Sequence, residues 1–80
     1  MIDWKTRIVA DPAVLVGKPV IKGTRISVEL ILDRLADGWS NEDLLAAYPS
    51  LAAADIAAVF AFAASMLKDE DFVAFARAAA

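Results

Sequence analysis

Between residues 27 and 67 the apolar positions recur every three or four residues, the period of a helix that buries one face. Ser27 suits an N-cap, Val28, Ile31, Leu32 and Leu35 share a face, and Gly38 supplies a stop, so a first helix is predicted over about residues 27–37. Ser40-Asn41-Glu42-Asp43 has the form of a capping box, with acids in the first turn where the helix dipole favours them. Pro49 ends this second helix, which is predicted over about residues 41–48. From Ala52 or Ala53 onward, Ile56, Val59, Phe60, Ala63, Met66 and Leu67 trace one face of a longer third helix that stops near Lys68.

Outside that stretch the pattern changes. Arg7 to Ala10 is predicted as a short β segment closed by Asp11-Pro12, and Val20-Ile21-Lys22 as a second one, bounded by Gly17-Lys18-Pro19 and Gly23. Strands this short must lie on helices or pair with another subunit. After Asp69-Glu70-Asp71, Phe72, Phe75 and Ala76 fall on one side of a helical turn and predict a fourth, docking helix. The expected fold is mainly α: a trihelical helix-turn-helix with a short N-terminal β ribbon and a C-terminal docking helix. One domain is expected over residues 1–80, made of a basic ribbon segment (1–25), the trihelical unit (26–67) and a terminal helix (68–80).

Eighty residues sit at the lower end for a self-sufficient domain, where a single core gives marginal stability. The chain has no cysteine and no histidine, so neither a disulfide nor a Cys/His zinc site reinforces it, and no metal or other cofactor is expected. Hydrophobic residues make up 60% of the chain, a share inflated by alanine, which contributes helix propensity more than burial energy. The expected core is Ile26, Leu30, Ile31, Leu35, Leu44, Leu45, Leu51, Ile56, Val59, Phe60, Met66 and Leu67, with Trp39 and Tyr48 at the junctions. The surplus of apolar surface predicts a homodimer or higher oligomer, with Phe60 and Phe62 at the interface. The N-terminus carries Asp3, Lys5, Arg7 and Asp11 and lacks a signal-peptide pattern, and the longest uncharged run, Ile56 to Leu67, is too short for a bilayer; a cytoplasmic location follows as the expectation.

The net charge of −3 conceals an asymmetry. Residues 1–25 hold five bases (Lys5, Arg7, Lys18, Lys22, Arg25) against two acids, giving +3; residues 26–80 hold three bases against nine acids, giving −6. Contact with phosphate is therefore assigned to Lys5, Lys18, Lys22 and Arg25.

The string from Gly17 to Arg25 superficially suggests a nucleotide loop, but five residues separate its glycines and Thr24-Arg25, not Lys-Ser/Thr, follows the second. The simpler reading has both glycines serve turns while Arg25 pairs with Glu29 or a helix end. Gly38 to Leu45, followed by Tyr48-Pro49-Ser50-Leu51 and a third helix, matches the layout that places a recognition helix at the major groove. The residues that would meet base edges are Ala52, Ala53, Ala54 and Asp55, none of which is a usual base reader. The acid pairs Glu42-Asp43 and Asp69-Glu70-Asp71 suit helix first turns better than metal or acid–base chemistry. With no histidine, cysteine or glycine-flanked serine there is no nucleophile-and-base constellation, so an enzyme is not expected and a small hydrolase is the weakest of the functional classes.

At Asp11-Pro12, at Gly17-Lys18-Pro19-Val20-Ile21-Lys22-Gly23-Thr24-Arg25-Ile26, at Gly38-Trp39-Ser40 and at Tyr48-Pro49-Ser50-Leu51, the chain resembles a bacterial and archaeal domain-of-unknown-function family of homeodomain-like helix-turn-helix proteins regarded as VapB-like antitoxins. The resemblance spans about residues 7–67. It implies a type II antitoxin that masks a PIN-like ribonuclease toxin and autoregulates its own promoter DNA; the family has no catalytic residues to carry over. Where the family commonly has Thr or Ser to cap the third helix, this chain has Ala52, a loss of about 1 kcal/mol that leaves Ser50 as a substitute cap. The alternative to an antitoxin is a dimeric scaffold protein whose degenerate helix-turn-helix binds no DNA. A PIN-like nuclease presents an acidic metal-binding groove, so the expected toxin contact is Phe72 and Phe75 as apolar anchors with Arg77 as the cation, against the simpler role of Arg77 as a solvated helix-end charge.

Overall fold

A computed structural model describes residues 3–68 of the chain. The fourth helix expected beyond Asp71, with Phe72, Phe75 and Arg77, lies outside the described residues. Within them the chain is mainly α: a two-stranded antiparallel ribbon, β1 (Ile8–Ala10) and β2 (Pro19–Ile21), precedes three helices, α1 (Val28–Ala36), α2 (Asn41–Ala47) and α3 (Ala53–Leu67). The strands pair Ile8 with Ile21, Val9 with Val20 and Ala10 with Pro19, and β2 begins and ends one residue earlier than the expected Val20-Ile21-Lys22.

The helix boundaries follow their capping chemistry. Ser27 Oγ accepts the Leu30 N–H at the start of α1. At its end Gly38 adopts φ +97, so that its N–H reaches the Leu35 carbonyl while the Trp39 N–H reaches that of Arg34. Those two bonds form a Schellman motif, which needs a left-handed residue and so favours glycine. The turn also lays the Arg34 guanidinium over the Trp39 ring at 5.3 Å. At α2, Ser40 Oγ accepts the Asp43 N–H while the Asp43 carboxylate accepts the Ser40 N–H, completing the predicted capping box. α3 starts without a hydroxyl cap: Ala52 is the N-cap and Ser50 takes no part. The Asp55 carboxylate accepts the Ala52 N–H at 2.9 Å, which leaves half of a capping box.

The core combines Ile8, Ile21, Val28, Ile31, Leu44, Leu51, Ile56, Ala58 and Val59. Val20 of β2 is buried as well, 1% exposed, outside that cluster. The expected core was right for Ile31, Leu44, Leu51, Ile56 and Val59, and Ile26, Leu35, Leu45, Trp39 and Tyr48 pack around it. It was wrong for Phe60, Met66 and Leu67, which are exposed. The ribbon instead contributes Ile8 and Ile21 to the core. The two tryptophans take different positions: Trp4 meets Phe62 edge-to-face, ring centroids 5.0 Å apart at 86°, and so ties the N-terminal turn to α3.

Candidate functional site

The segment from Asp11 to Arg25 is spent largely on folding. Asp11 Oδ1 accepts the Ala13 N–H and opens a turn that carries the chain into Leu15. Leu15, Val16 and Gly17 then adopt φ of +48, +57 and +79 in succession. Gly17 does so freely, but a leucine and a β-branched valine in the left-handed region cost on the order of 1–2 kcal/mol each. The turn holds Val16 outward at 95% exposure. Gly23, at φ +80, serves the second turn. Thr24 locks that turn, its Oγ1 donating to the Ile21 carbonyl and accepting the Ile26 N–H. Both glycines therefore serve turns, as the spacing argument against a nucleotide loop required.

The four cations assigned to phosphate contact do not form one patch. Lys18 and Arg25 border the same shallow depression of about 470 Å³ with Leu15, Val16, Ser27 and Leu30. Lys18 also edges a second groove, floored by Pro19, Val28, Leu32 and Phe62. Lys22 lies apart from them, in a cleft with Thr6, Arg7 and Asp55. Lys5 is separate again, its Nζ 5.9 Å from the centre of the Trp4 ring. The expected pairing of Arg25 with Glu29 is not formed: Lys18 Nζ donates to Glu29 Oε2 at 3.3 Å, an exposed pair that contributes little.

One residue the sequence reading left unassigned is Arg7. Its guanidinium donates through Nη1 to Asp55 Oδ1 at 3.0 Å, across the gap between β1 and the start of α3. Asp55 is 6% exposed, its carboxylate divided between Arg7 and the Ala52 N–H. A helix-turn-helix layout would put it among the residues that meet base edges; here it is a buried structural anion. The only signal for this in the sequence was a carboxylate three residues past Ala52, the first-turn N3 position of a capping box. Phe60 and Phe62, grouped together as an interface, point in different directions: Phe62 packs inward on Trp4, and Phe60 is 51% exposed. Among the described residues, no three of His, Cys, Asp and Glu gather as metal ligands, and no helix is long and apolar enough to cross a membrane.

The site's most unusual feature is thus an apolar turn held in a costly backbone conformation beside two cations. Over residues 8–63 the chain matches the family described as "Protein of unknown function (DUF433)". It is also similar to a crystal structure of a DUF433 member from Anabaena variabilis ATCC 29413, with 34% sequence identity and a TM-score of 0.67 over 70% of this chain. The chain spans 55% of the length of that relative. No curated protein matches it.

Proposed function

The chain belongs to the DUF433 family, and from that premise we propose that it is an antitoxin-like binding module of a type II toxin–antitoxin pair, which neutralises a PIN-like ribonuclease by occupying its surface. The observation that carries this reading is the Leu15–Val16 turn with Lys18 and Arg25 beside it. A strained conformation that exposes an aliphatic side chain persists because the surrounding fold enforces it, and such outliers concentrate at functional surfaces. An apolar knob flanked by a lysine and an arginine complements a nuclease groove, where carboxylates gathered for a metal meet apolar walls. The terminal Phe72, Phe75 and Arg77 supply the same combination of aromatic anchors and a cation, so two segments of the chain are candidates for the toxin contact.

Co-expression with a cognate PIN-like ribonuclease tests the reading. The native chain is expected to restore growth and to copurify with the nuclease, and Val16→Asp combined with Arg25→Glu is expected to weaken both. A native chain that neither binds the nuclease nor relieves its toxicity overturns the proposal.

A second reading, a dimeric scaffold that leaves DNA alone, is favoured by one observation. At the start of α3, where a recognition helix would present base-reading groups, stand Ala52, Ala53 and Ala54, and Asp55 is turned inward to Arg7. Promoter autoregulation, if the chain carries it out, relies on phosphate contacts from Lys5, Lys18, Lys22 and Arg25 and on shape rather than on base edges.

A further inference from the structure

Five residues of α3 face solvent along one line: Ala53, Ala57, Phe60, Ala64 and Leu67. Their spacing is four, three, four, three, so at 100° per residue they stay within about 80° of arc. Of the buried residues of the same helix, Ala58 and Val59 lie on other faces and Ile56 borders the line, while Phe62 packs inward against Trp4. No charged residue occurs between Ile56 and Leu67, so the outer line is apolar throughout and carries nothing that would hold it in water. A strict three-and-four alternation is the seam of a helix that packs against another helix, with each residue entering a gap between four residues of its neighbour.

The sizes along the line identify the neighbour. In a parallel pair of α3 helices like faces like: Phe60 meets Phe60 and Ala57 meets Ala57, so over-filled layers alternate with empty ones, and both are costly. In an antiparallel pair with a two-fold axis at Phe62, position i meets position 124 − i. Phe60 then faces Ala64 of the second copy and Ala57 faces Leu67, and by symmetry the reverse. Both of these layers then contain one large and one small side chain. The helix dipoles also oppose each other favourably.

We propose that the chain associates with a second copy of itself through the outer face of α3, antiparallel, with Phe60 seated over the second copy's Ala64 and Leu67 over its Ala57. The interface is isologous, and it leaves the Leu15–Val16 turn to a different partner.

The absence of native cysteine makes a register test direct. Ala57→Cys and Leu67→Cys are made as separate single variants, each exposed, and oxidised alone and as an equimolar mixture. Only the mixture is expected to give a covalent dimer, at twice the 8.5 kDa chain mass. A disulfide-linked dimer from Ala57→Cys alone indicates parallel packing and overturns the proposal, as does a mixture that yields none. Light scattering of the native chain at high micromolar concentration is expected to show a dimer. Ala64→Glu, at an exposed position that leaves the helical circular dichroism unchanged, is expected to convert it to monomer. A monomeric native chain, or a dimer that survives Ala64→Glu, overturns the proposal as well.

Discussion

Arg7 and Asp55 lie 48 residues apart in sequence and meet at 3.0 Å, and this bond fastens the residue before β1 to the start of α3. The buried carboxylate has two partners: the guanidinium balances its charge, and the Ala52 N–H donates to its second oxygen, the half of a capping box that remains without a hydroxyl at the N-cap. α3 tolerates alanine at its N-cap because Asp55 is held in place from the other side.

Removing either partner should therefore destabilise the chain. Arg7→Ala leaves a buried carboxylate with a single backbone partner, a loss of about 1–3 kcal/mol. Asp55→Ala is expected to cost at least as much, since it uncaps α3 as well, worth about 1 kcal/mol. Urea denaturation of both single variants and the double variant measures the coupling. Additive losses would show that the two side chains do not act as a pair.

The strained turn makes an opposite prediction. Asparagine tolerates the left-handed region where valine does not, so Val16→Asn should leave stability unchanged or raise it by about 1 kcal/mol, despite replacing an apolar residue. The same variant should weaken capture of the nuclease, because it removes the exposed knob. Thermal unfolding and a binding titration on one preparation check both halves. A variant that is more stable and binds as well as the native chain would leave the strain without a functional role.

DNA binding, where it occurs, should be steeply salt-dependent, with log K falling by about 0.9 per log unit of salt for each phosphate neutralised. Lys22 sits in the cleft beside Arg7 while Lys18 and Arg25 sit on the Leu15–Val16 side, so the two groups can be tested separately. Lys22→Glu and Arg25→Glu should each lower affinity equally across sequences. If both leave affinity untouched while Ala53→Arg changes sequence preference, the start of α3 reads bases after all.

Local chemistry was legible in the sequence, and long-range pairing was not. Ser27, Gly38 and the Ser40–Asp43 box mark their helix ends because each acts on a backbone group within three residues. The ribbon strands could be read from Val20 and Ile21, yet their burial could not, since it depends on which helix face they cover. Periodicity assigned Phe60, Met66 and Leu67 to the core, yet all three are exposed, and Phe60 and Leu67 share the outer side of α3 with Ala53, Ala57 and Ala64. Ala58, fully buried, was discounted as a helix former although its small size is what lets α3 approach its neighbours. Asp55 fell among the base-edge positions of the layout because a helical wheel carries no information about an arginine in another element.

The last prediction separates the two segments proposed to meet the nuclease. Deleting residues 72–80 removes Phe72, Phe75 and Arg77 and keeps every core side chain of the described residues, so the helical circular dichroism and the urea midpoint are expected to change little. If the tail makes the decisive contact, the truncated chain fails to neutralise the nuclease, and within the full chain Arg77→Ala should cost about as much affinity as a charge-assisted hydrogen bond, 1.5–3 kcal/mol or on the order of tenfold to a hundredfold. If the truncated chain still restores growth, the contact lies on the Leu15–Val16 side. Val16→Asp in the truncated chain should then abolish the rescue that Phe72→Ala and Phe75→Ala leave intact in the full one.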